Sequence, residues 1–221
     1  MTETTIDPAT RGVDAVGGMD IRIEDDASPL VRLLGRTIAD SVRANGAGIV
    51  TATGSIAVRS HDTPQAATIT ISAGTVVVSS GVFIDPDLTL TLDLNARLAQ
   101  VGDPVVAGDH DLAAAALALL ARPVPDWKSA AESFWAAARS VPGIPDVLVA
   151  IADDADGPSQ LVVGEGETHY VIAGPPDLLA GIFSGADDLI AALSTGLIGV
   201  RGTLSQLSVL VAASWKVRYD V

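Results

Sequence analysis

Hydrophobic positions in the first half of the chain change from a helical period to a strand period. Ser28-Pro29 is a typical helix start, and apolar residues then recur at helical spacing as far as Asn45-Gly46. Beyond this point apolar and polar residues alternate, which predicts strands over 49–58, 66–72, 75–79 and 88–94. A helix over 95–101, a short strand over 105–107 and a helix over 111–121, capped by Asp109, complete the block.

The second half of the chain repeats this order of elements. Asp126 is predicted to cap a helix that ends near Ser140. Strands follow over 147–152, 161–163 and 169–172, with a turn over 153–158. Pro175-Pro176 then opens a helix that ends at 184–185, a second helix covers 186–195, and a short strand covers 197–201. Thr203 and Gln206 have the spacing of a capping box, which begins a last helix that runs through Trp215.

The repeated order indicates a tandem duplication of one domain. We therefore predict an α+β protein with two similar domains, 27–122 and 123–221, each an antiparallel-rich sheet covered by helices on one face. Residues 1–26 hold seven acids and two arginines without a periodic apolar face, so we predict a flexible acidic tail that can be removed without loss of the fold. Neither end resembles a targeting signal, and we expect a cytoplasmic protein.

Composition excludes several classes of protein. Hydrophobic residues make up 48% of the chain and charged residues 18%, which excludes an intrinsically disordered chain. The longest apolar run, 112–121, is far shorter than the ~20 residues of a membrane-spanning helix. The net charge of −14 repels nucleic acids and anionic lipid surfaces. We therefore expect no nucleic-acid partner and no stable membrane insertion.

Residues that carry chemistry are few and scattered. Without cysteine the chain has no disulfide and no thiolate nucleophile. The three histidines, His61, His110 and His169, lie far apart and none forms an i, i+4 pair. The acidic segment 153–157 lacks the ligand spacing of a calcium loop, so it predicts a turn. We expect no catalytic residue, no metal site and no cofactor.

An ordered set of glycines and strands gives the chain a family resemblance. In the first block the set comprises 74–81, the segment 85–94 and Val-Val-Ala-Gly-Asp over 105–109; in the second it comprises 184–185, 196–202 and 203–210. This order resembles the sterol carrier protein type 2 family, a lipid-carrier module. Two departures are visible, because the first block lacks a counterpart of helix 186–195 and the second has a shortened, aspartate-rich hairpin.

The resemblance implies a gap between the sheet and its helices that is lined by aliphatic side chains and takes an apolar ligand. Burial of a long apolar ligand there gains about 25 cal/mol per Å². The candidate ligand-binding residues are Val76, Val78, Leu90, Leu92, Leu112 and Leu119 in the first domain and Leu178, Leu179, Ile182, Phe183, Leu204 and Leu207 in the second. The alternative for each of them is ordinary packing in a core.

These observations favour a non-enzymatic carrier for a bulky, neutral, apolar small molecule such as a lipid, sterol or acyl thioester. A second interpretation is a structural or assembly protein in which the same fold has lost its pocket and binds a homo-oligomer partner or an enzyme partner. A third is an enzyme that uses the apolar cavity with carboxylates or His169. Trp127 and Phe134 are expected to pack inward, whereas Trp135 is placed at a domain or subunit interface or partly exposed.

Overall fold

A computed structural model describes residues 10–16, 18–50, 52–61, 63–94, 103–121, 123, 125–154 and 157–219. These residues divide into two compact units, unit 1 within 10–123 and unit 2 within 125–219. Each unit has its own sheet and its own hydrophobic core. The chain is therefore an α+β protein with two sheets, as predicted. The division falls beside the predicted boundary between 122 and 123.

Unit 1 contains seven strands and two α-helices among its described residues. The strands are β1 (Thr10–Val16), β2 (Met19–Glu24), β3 (Gly54–Ser60), β4 (Ala66–Ser72), β5 (Thr75–Ser80), β6 (Leu88–Leu92) and β7 (Val105–Gly108). The helices are α1 (Pro29–Asn45) and α2 (His110–Leu120), and a 3-10 turn covers Ala47–Ile49. Ser28 and Asp109 cap the two helices through their side-chain oxygens, as their positions predict.

The sheet of unit 1 has the order β1-β2-β5-β4-β3-β6-β7. Strands β3, β4 and β5 form an antiparallel meander, and the hairpins β1-β2 and β6-β7 flank it. Each hairpin joins the meander through a parallel pair, β2 with β5 and β3 with β6. Alternate residues such as Ile69, Ile71, Val76 and Val78 are buried and form one core with the apolar faces of α1 and α2.

Unit 2 contains four strands and four α-helices among its described residues. The strands are β8 (Val147–Asp154), β9 (Gly157–Gly164), β10 (His169–Gly174) and β11 (Gly199–Arg201). The helices are α3 (Trp127–Ala138), α4 (Pro176–Ser184), α5 (Leu189–Ser194) and α6 (Leu204–Tyr219). The sheet order is β11-β10-β8-β9, with β8 and β10 parallel and both outer pairs antiparallel. Helices α3, α4 and α6 pack together over the core.

The two units share a four-strand arrangement. In unit 1 the strands β4-β3-β6-β7 pair antiparallel, parallel and antiparallel, and in unit 2 the strands β9-β8-β10-β11 do the same. The corresponding strands also follow each other in the same chain order. This common topology is what a duplication predicts. The sheets nevertheless differ in width, because unit 1 carries three further strands.

Several predictions need correction. The sheets are mixed and not antiparallel-rich, because pairs that are distant in sequence, such as β3 with β6, run parallel. The flexible tail predicted over 1–26 is wrong from Thr10 onward, since β1 and β2 are strands of the sheet and Ile21 and Ile23 are fully buried. The strand predicted over 49–58 begins only at Gly54. Four of the residues in the turn predicted over 153–158 belong to strands, because β8 extends to Asp154 and β9 begins at Gly157.

One predicted element cannot be compared with the structure, because the helix over 95–101 lies outside the described residues. Among the helices that are described, none combines the length and the apolar character needed to cross a membrane.

Candidate functional site

The six candidate binding residues of unit 1 lie together inside its core. Val76, Val78 and Leu90 have no exposed surface, and the remaining three are almost fully buried. The set, Val76, Val78, Leu90, Leu92, Leu112 and Leu119, belongs to one cluster with the apolar residues of α1. The predicted neighbours are therefore brought together, and each of them is buried by other protein side chains. Their use as a ligand lining stays a prediction.

The six candidates of unit 2 separate into two groups. Leu178, Leu179, Ile182 and Phe183 are buried on α4, where Phe183 packs 5.3 Å from the ring centre of Phe134. Leu204 lies instead at the start of α6 with 85% of its surface exposed, and Leu207 is partly buried beside the core. The structure thus places Leu204 on an outer surface, away from the four buried residues of α4.

Helix α6 is apolar on its buried side and also on a partly exposed side that adjoins it. Its inner side, with Leu210, Ala213 and Val217, is buried in the core of unit 2. Its outer side repeats apolar or small residues at spacings of three and four, as a contact face of a helix does. We call this face the α6 stripe; it consists of Leu204, Leu207, Ser208, Val211, Ala212 and Trp215.

The start of α6 is fixed by the predicted capping box. Gln206 donates its backbone N–H to the hydroxyl of Thr203 at 3.2 Å, and the side-chain oxygen of Gln206 accepts the N–H of Thr203 at 2.8 Å. The amide nitrogen of the same Gln206 side chain donates to the carbonyl oxygen of His169 at 3.4 Å. This bond links the first turn of α6 to strand β10.

The end of α6 is fixed by two cations. Arg218 is fully buried, and one guanidinium nitrogen donates to the carbonyl oxygens of Gly185 at 3.2 Å and Ala186 at 2.9 Å. These carbonyls follow helix α4, which ends at Ser184 and is capped by Gly185 in the left-handed conformation. Lys216 donates to the hydroxyl of Ser140 at 2.8 Å. Helix α6 is therefore anchored at both ends, and the exposed stripe lies between the anchors.

Ile190 of α5 completes a shallow groove along the α6 stripe. The groove has a volume of about 450 Å³ and is open to solvent along one side. Its lining is aliphatic or aromatic apart from the hydroxyl of Ser208. Trp215 is 49% exposed, so a large part of this apolar surface faces water. Apolar surface of this kind on a folded unit is typical of a binding interface.

The groove has no group that could transfer a proton, because none of its lining residues is ionisable. The side chains with shifted pKa values lie elsewhere. Hydrogen bonds from Ser55 lower the pKa of Asp87, those from Thr168 lower the pKa of Asp146, and burial raises the pKa of Tyr170. The first two belong to contacts between strands, and Tyr170 lies in the core. The arrangement on α6 is suited to binding and not to acid-base chemistry.

Five residues of this site were not predicted from the sequence: Ile190, Ser208, Val211, Ala212 and Trp215. The sequence signal that could have identified them is the recurrence of apolar residues on two sides of α6, which a helix with only one buried face would not show. The interface position predicted for Trp135 does not match the structure, because Trp135 is buried in the core of unit 2. The tryptophan on the surface is Trp215.

Comparisons with known proteins add no relative to this picture: no family model, no curated protein and no solved structure matches the chain.

Proposed function

We propose that this chain is a non-enzymatic assembly protein, which docks the α6 stripe against the same stripe of a second copy. The observation that carries the proposal is the apolar outer face of α6, with Leu204 85% and Trp215 49% exposed. The helix is held at both ends by the Thr203–Gln206 capping box and by Arg218, so the face is presented in a fixed conformation. A fixed surface loses little conformational entropy on binding.

The open form of the groove favours a macromolecular partner. Small-molecule sites enclose most of their ligand, commonly 70–90% or more of its surface in ~300–1,000 Å³. The α6 groove has a comparable volume of about 450 Å³, but it is open to solvent on one side. A helix laid along the groove would cover this side, as amphipathic helices do when they bind apolar grooves.

The order of large and small residues along α6 favours a second copy as that helix. A two-fold axis between positions 209 and 210 sets two copies of α6 antiparallel. It then places Leu204 opposite Trp215, Leu207 opposite Ala212 and Ser208 opposite Val211 of the second copy. Large side chains meet small ones in the last two pairs, which lets two helices approach closely. One patch serves both copies, as a two-fold interface requires.

Sedimentation velocity over a range of protein concentrations tests this proposal. We expect the wild-type chain to show a monomer–dimer equilibrium that strengthens with salt, because each copy carries a net charge of −14. Ala212→Glu buries a charge in the interface and should remove the dimer. Ser205→Glu is the matched control, since Ser205 is exposed on the same helix outside the groove lining. A wild type that stays monomeric, or a dimer unaffected by Ala212→Glu, would contradict the proposal.

We also propose a second candidate function, the carrier of an aliphatic molecule that the resemblance to sterol carrier proteins implies. The volume and the aliphatic lining of the groove support it, and the open side would leave a polar headgroup in water. Native mass spectrometry distinguishes the two functions. A monomer with a retained apolar molecule, lost in Ala212→Glu, would support the carrier. A dimer without additional mass would support assembly.

A further inference from the structure

Strand β9 occupies the place in unit 2 that β4 occupies in unit 1, but its outer edge differs. In unit 1 the outer edge of β4 pairs with β5 over six residue pairs, from Ala67–Ser80 to Ser72–Thr75. In unit 2, β9 pairs with β8, and no other strand of the described chain pairs with it. Among the described residues, the sheet of unit 2 therefore ends one strand earlier than the meander of unit 1.

The missing neighbour leaves apolar side chains partly uncovered. The residues of β4 that face the core, Ala67, Ile69 and Ile71, are at most 2% exposed beside β5. The corresponding inward residues of β9, Leu161 and Val163, pack against the core of unit 2 but remain partly exposed. A further strand along β9 would cover them in the way that β5 covers β4.

The backbone of β9 also presents donors along this edge. Val147 donates its N–H to the carbonyl oxygen of Thr168 at 3.0 Å, so the backbone of Val147 points toward β10. Because successive residues of a strand point to opposite sides, Leu148 and Ala150 bond to Val163 and Leu161 of β9. Gln160, Val162 and the terminal Gly164 alternate with these bonded residues along β9 and therefore direct their N–H groups away from β8. Within the described chain, no backbone carbonyl accepts from these three groups.

The edge lacks the usual protection against strand pairing. Natural edge strands are commonly protected by charged side chains, by proline or by a very short length. Strand β9 is eight residues long, carries no charged residue, and has its single proline, Pro158, near its start. Val162, in its second half, is 52% exposed. Within the part of the chain that the structure describes, this edge is therefore open to an additional strand.

Charges at the two ends of β9 indicate which strand would fit. Asp153 and Asp154 lie opposite its start, and Glu165 and Glu167 follow its end. Two copies of β9 in antiparallel pairing would bring the aspartates of one copy toward the glutamates of the other, which disfavours self-pairing. A segment with basic residues at both ends would instead meet opposite charges.

We propose that the outer edge of β9 binds an extended segment of a partner protein, apolar at alternate positions and flanked by lysine or arginine. The segment adds a fifth, antiparallel strand to the sheet of unit 2, in the position that β5 holds in unit 1. Its backbone carbonyls accept from Gln160, Val162 and Gly164, and its alternate apolar side chains cover Leu161 and Val163. This is recognition by strand addition, in which the main chain supplies affinity and the side chains supply specificity.

The probe is a fluorescein-labelled peptide with the β5 sequence Thr-Val-Val-Val-Ser-Ser between pairs of lysines. We expect the full chain to raise its fluorescence anisotropy at low salt. Val162→Pro removes one outward N–H, leaves the backbone hydrogen bonds between β9 and β8 in place, and should weaken binding about tenfold or more. Val162→Thr keeps the N–H and the β-branched shape and should bind as the wild type does. A wild type without binding, or equal binding by Val162→Pro, would overturn the proposal.

Two further comparisons locate the contact. The double variant Glu165→Gln, Glu167→Gln should bind the peptide more weakly and with a smaller salt dependence. The control is Asp25→Asn, Asp26→Asn, which makes the same charge change at exposed positions of unit 1 and should leave both quantities unchanged. Ala212→Glu should leave peptide binding unchanged. Loss of peptide binding in this variant would show that the peptide binds at the α6 groove and would overturn the proposal. If Val162→Pro does not fold, amide hydrogen exchange of the wild type decides. The peptide should slow exchange at Gln160 and Val162, and unchanged exchange at both would refute strand addition.

Discussion

Asp146 and Thr168 are joined by three reciprocal hydrogen bonds. The carboxylate of Asp146 accepts the backbone N–H of Thr168 at 3.0 Å and its hydroxyl at 2.7 Å, and the Thr168 hydroxyl oxygen accepts the N–H of Asp146 at 2.9 Å. In unit 1, Asp87 and Ser55 form the same three bonds, at 2.8, 2.7 and 3.2 Å. Each set joins the two parallel strands of its unit at the ends where the strands begin. In unit 1 the aspartate precedes the second strand of the pair, β6, whereas in unit 2 it precedes the first, β8.

These bonds predict a loss of stability in acid. Hydroxyl and N–H donors on Thr168 lower the pKa of Asp146, and those on Ser55 lower the pKa of Asp87, from an ordinary value of 3.8. A lowered pKa in the folded state means that the stabilisation is present above 3.8 and is lost as the pH falls through the folded value. Melting temperature measured from pH 6 to pH 2 should fall less steeply for Asp146→Asn than for the wild type. Equal slopes would contradict this role.

Two glycines lie against these aspartates. A Cβ at Gly108 would collide with the carbonyl oxygen of Asp87, and one at Gly164 with that of Asp146, and both glycines have positive φ angles, +123° and +94°. We expect Gly164→Ala to cost about 2 kcal/mol or more in unfolding free energy, measured by urea denaturation. Gly199→Ala, where a Cβ meets open space, should change stability by less than about 1 kcal/mol. Similar costs at both positions would argue against the collision.

Strand β2 should be required for the stability of unit 1. Ile23 is fully buried and pairs with Val78 of β5, so Ile23→Ala should cost about 2–5 kcal/mol. Arg22→Ala on the exposed side of the same strand should cost less than about 1 kcal/mol. Removal of residues 1–26 should destabilise unit 1 by at least as much as Ile23→Ala. A truncated chain with the same melting temperature as the wild type would show that β2 contributes nothing to stability.

The stability of unit 2 should depend on the shape of the Arg218 side chain as well as on its positive charge. Its planar guanidinium reaches two carbonyl oxygens, those of Gly185 and Ala186, inside a buried site. Lysine keeps the charge, but its Nζ ends one bond short of the guanidinium nitrogen that makes both contacts, so Arg218→Lys should cost about 2–3 kcal/mol by urea denaturation. Arg201→Lys, at an exposed position of β11, is the control and should be nearly neutral. An unchanged free energy of unfolding in Arg218→Lys would show that the positive charge alone is sufficient for stability.

Local signals predicted the helices well. The capping side chains of Ser28, Asp109 and Asp126 accept backbone N–H bonds at the predicted helix starts, because capping depends on residues within one turn. The Thr203–Gln206 box is formed for the same reason. Parallel pairing of β3 with β6 could not be predicted in this way, since it joins segments about thirty residues apart and leaves no local signature.

Two misinterpretations arose where one pattern has two physical meanings. Met19, Ile21 and Ile23 alternate with Asp20, Arg22 and Glu24, which is the period of a half-buried strand. The acidic composition of the segment suggested a tail instead. On α6, Leu204 and Leu207 have the spacing of a core face, but Leu210, Ala213 and Val217 form the inner side. Spacing alone cannot say which of two apolar sides meets the core.

Disulfide crosslinking between two α6 helices tests the assembly most directly. The chain has no cysteine of its own, so each disulfide must come from the introduced residues. Chains carrying Ser208→Cys and Val211→Cys are mixed with different mass tags and oxidised mildly. Antiparallel pairing places position 208 opposite position 211 of the second copy, within the reach of a disulfide. We expect disulfides between the two variants in excess of the random proportion, and we expect Ala212→Glu to suppress them. Random proportions, or a monomer after oxidation, would contradict it.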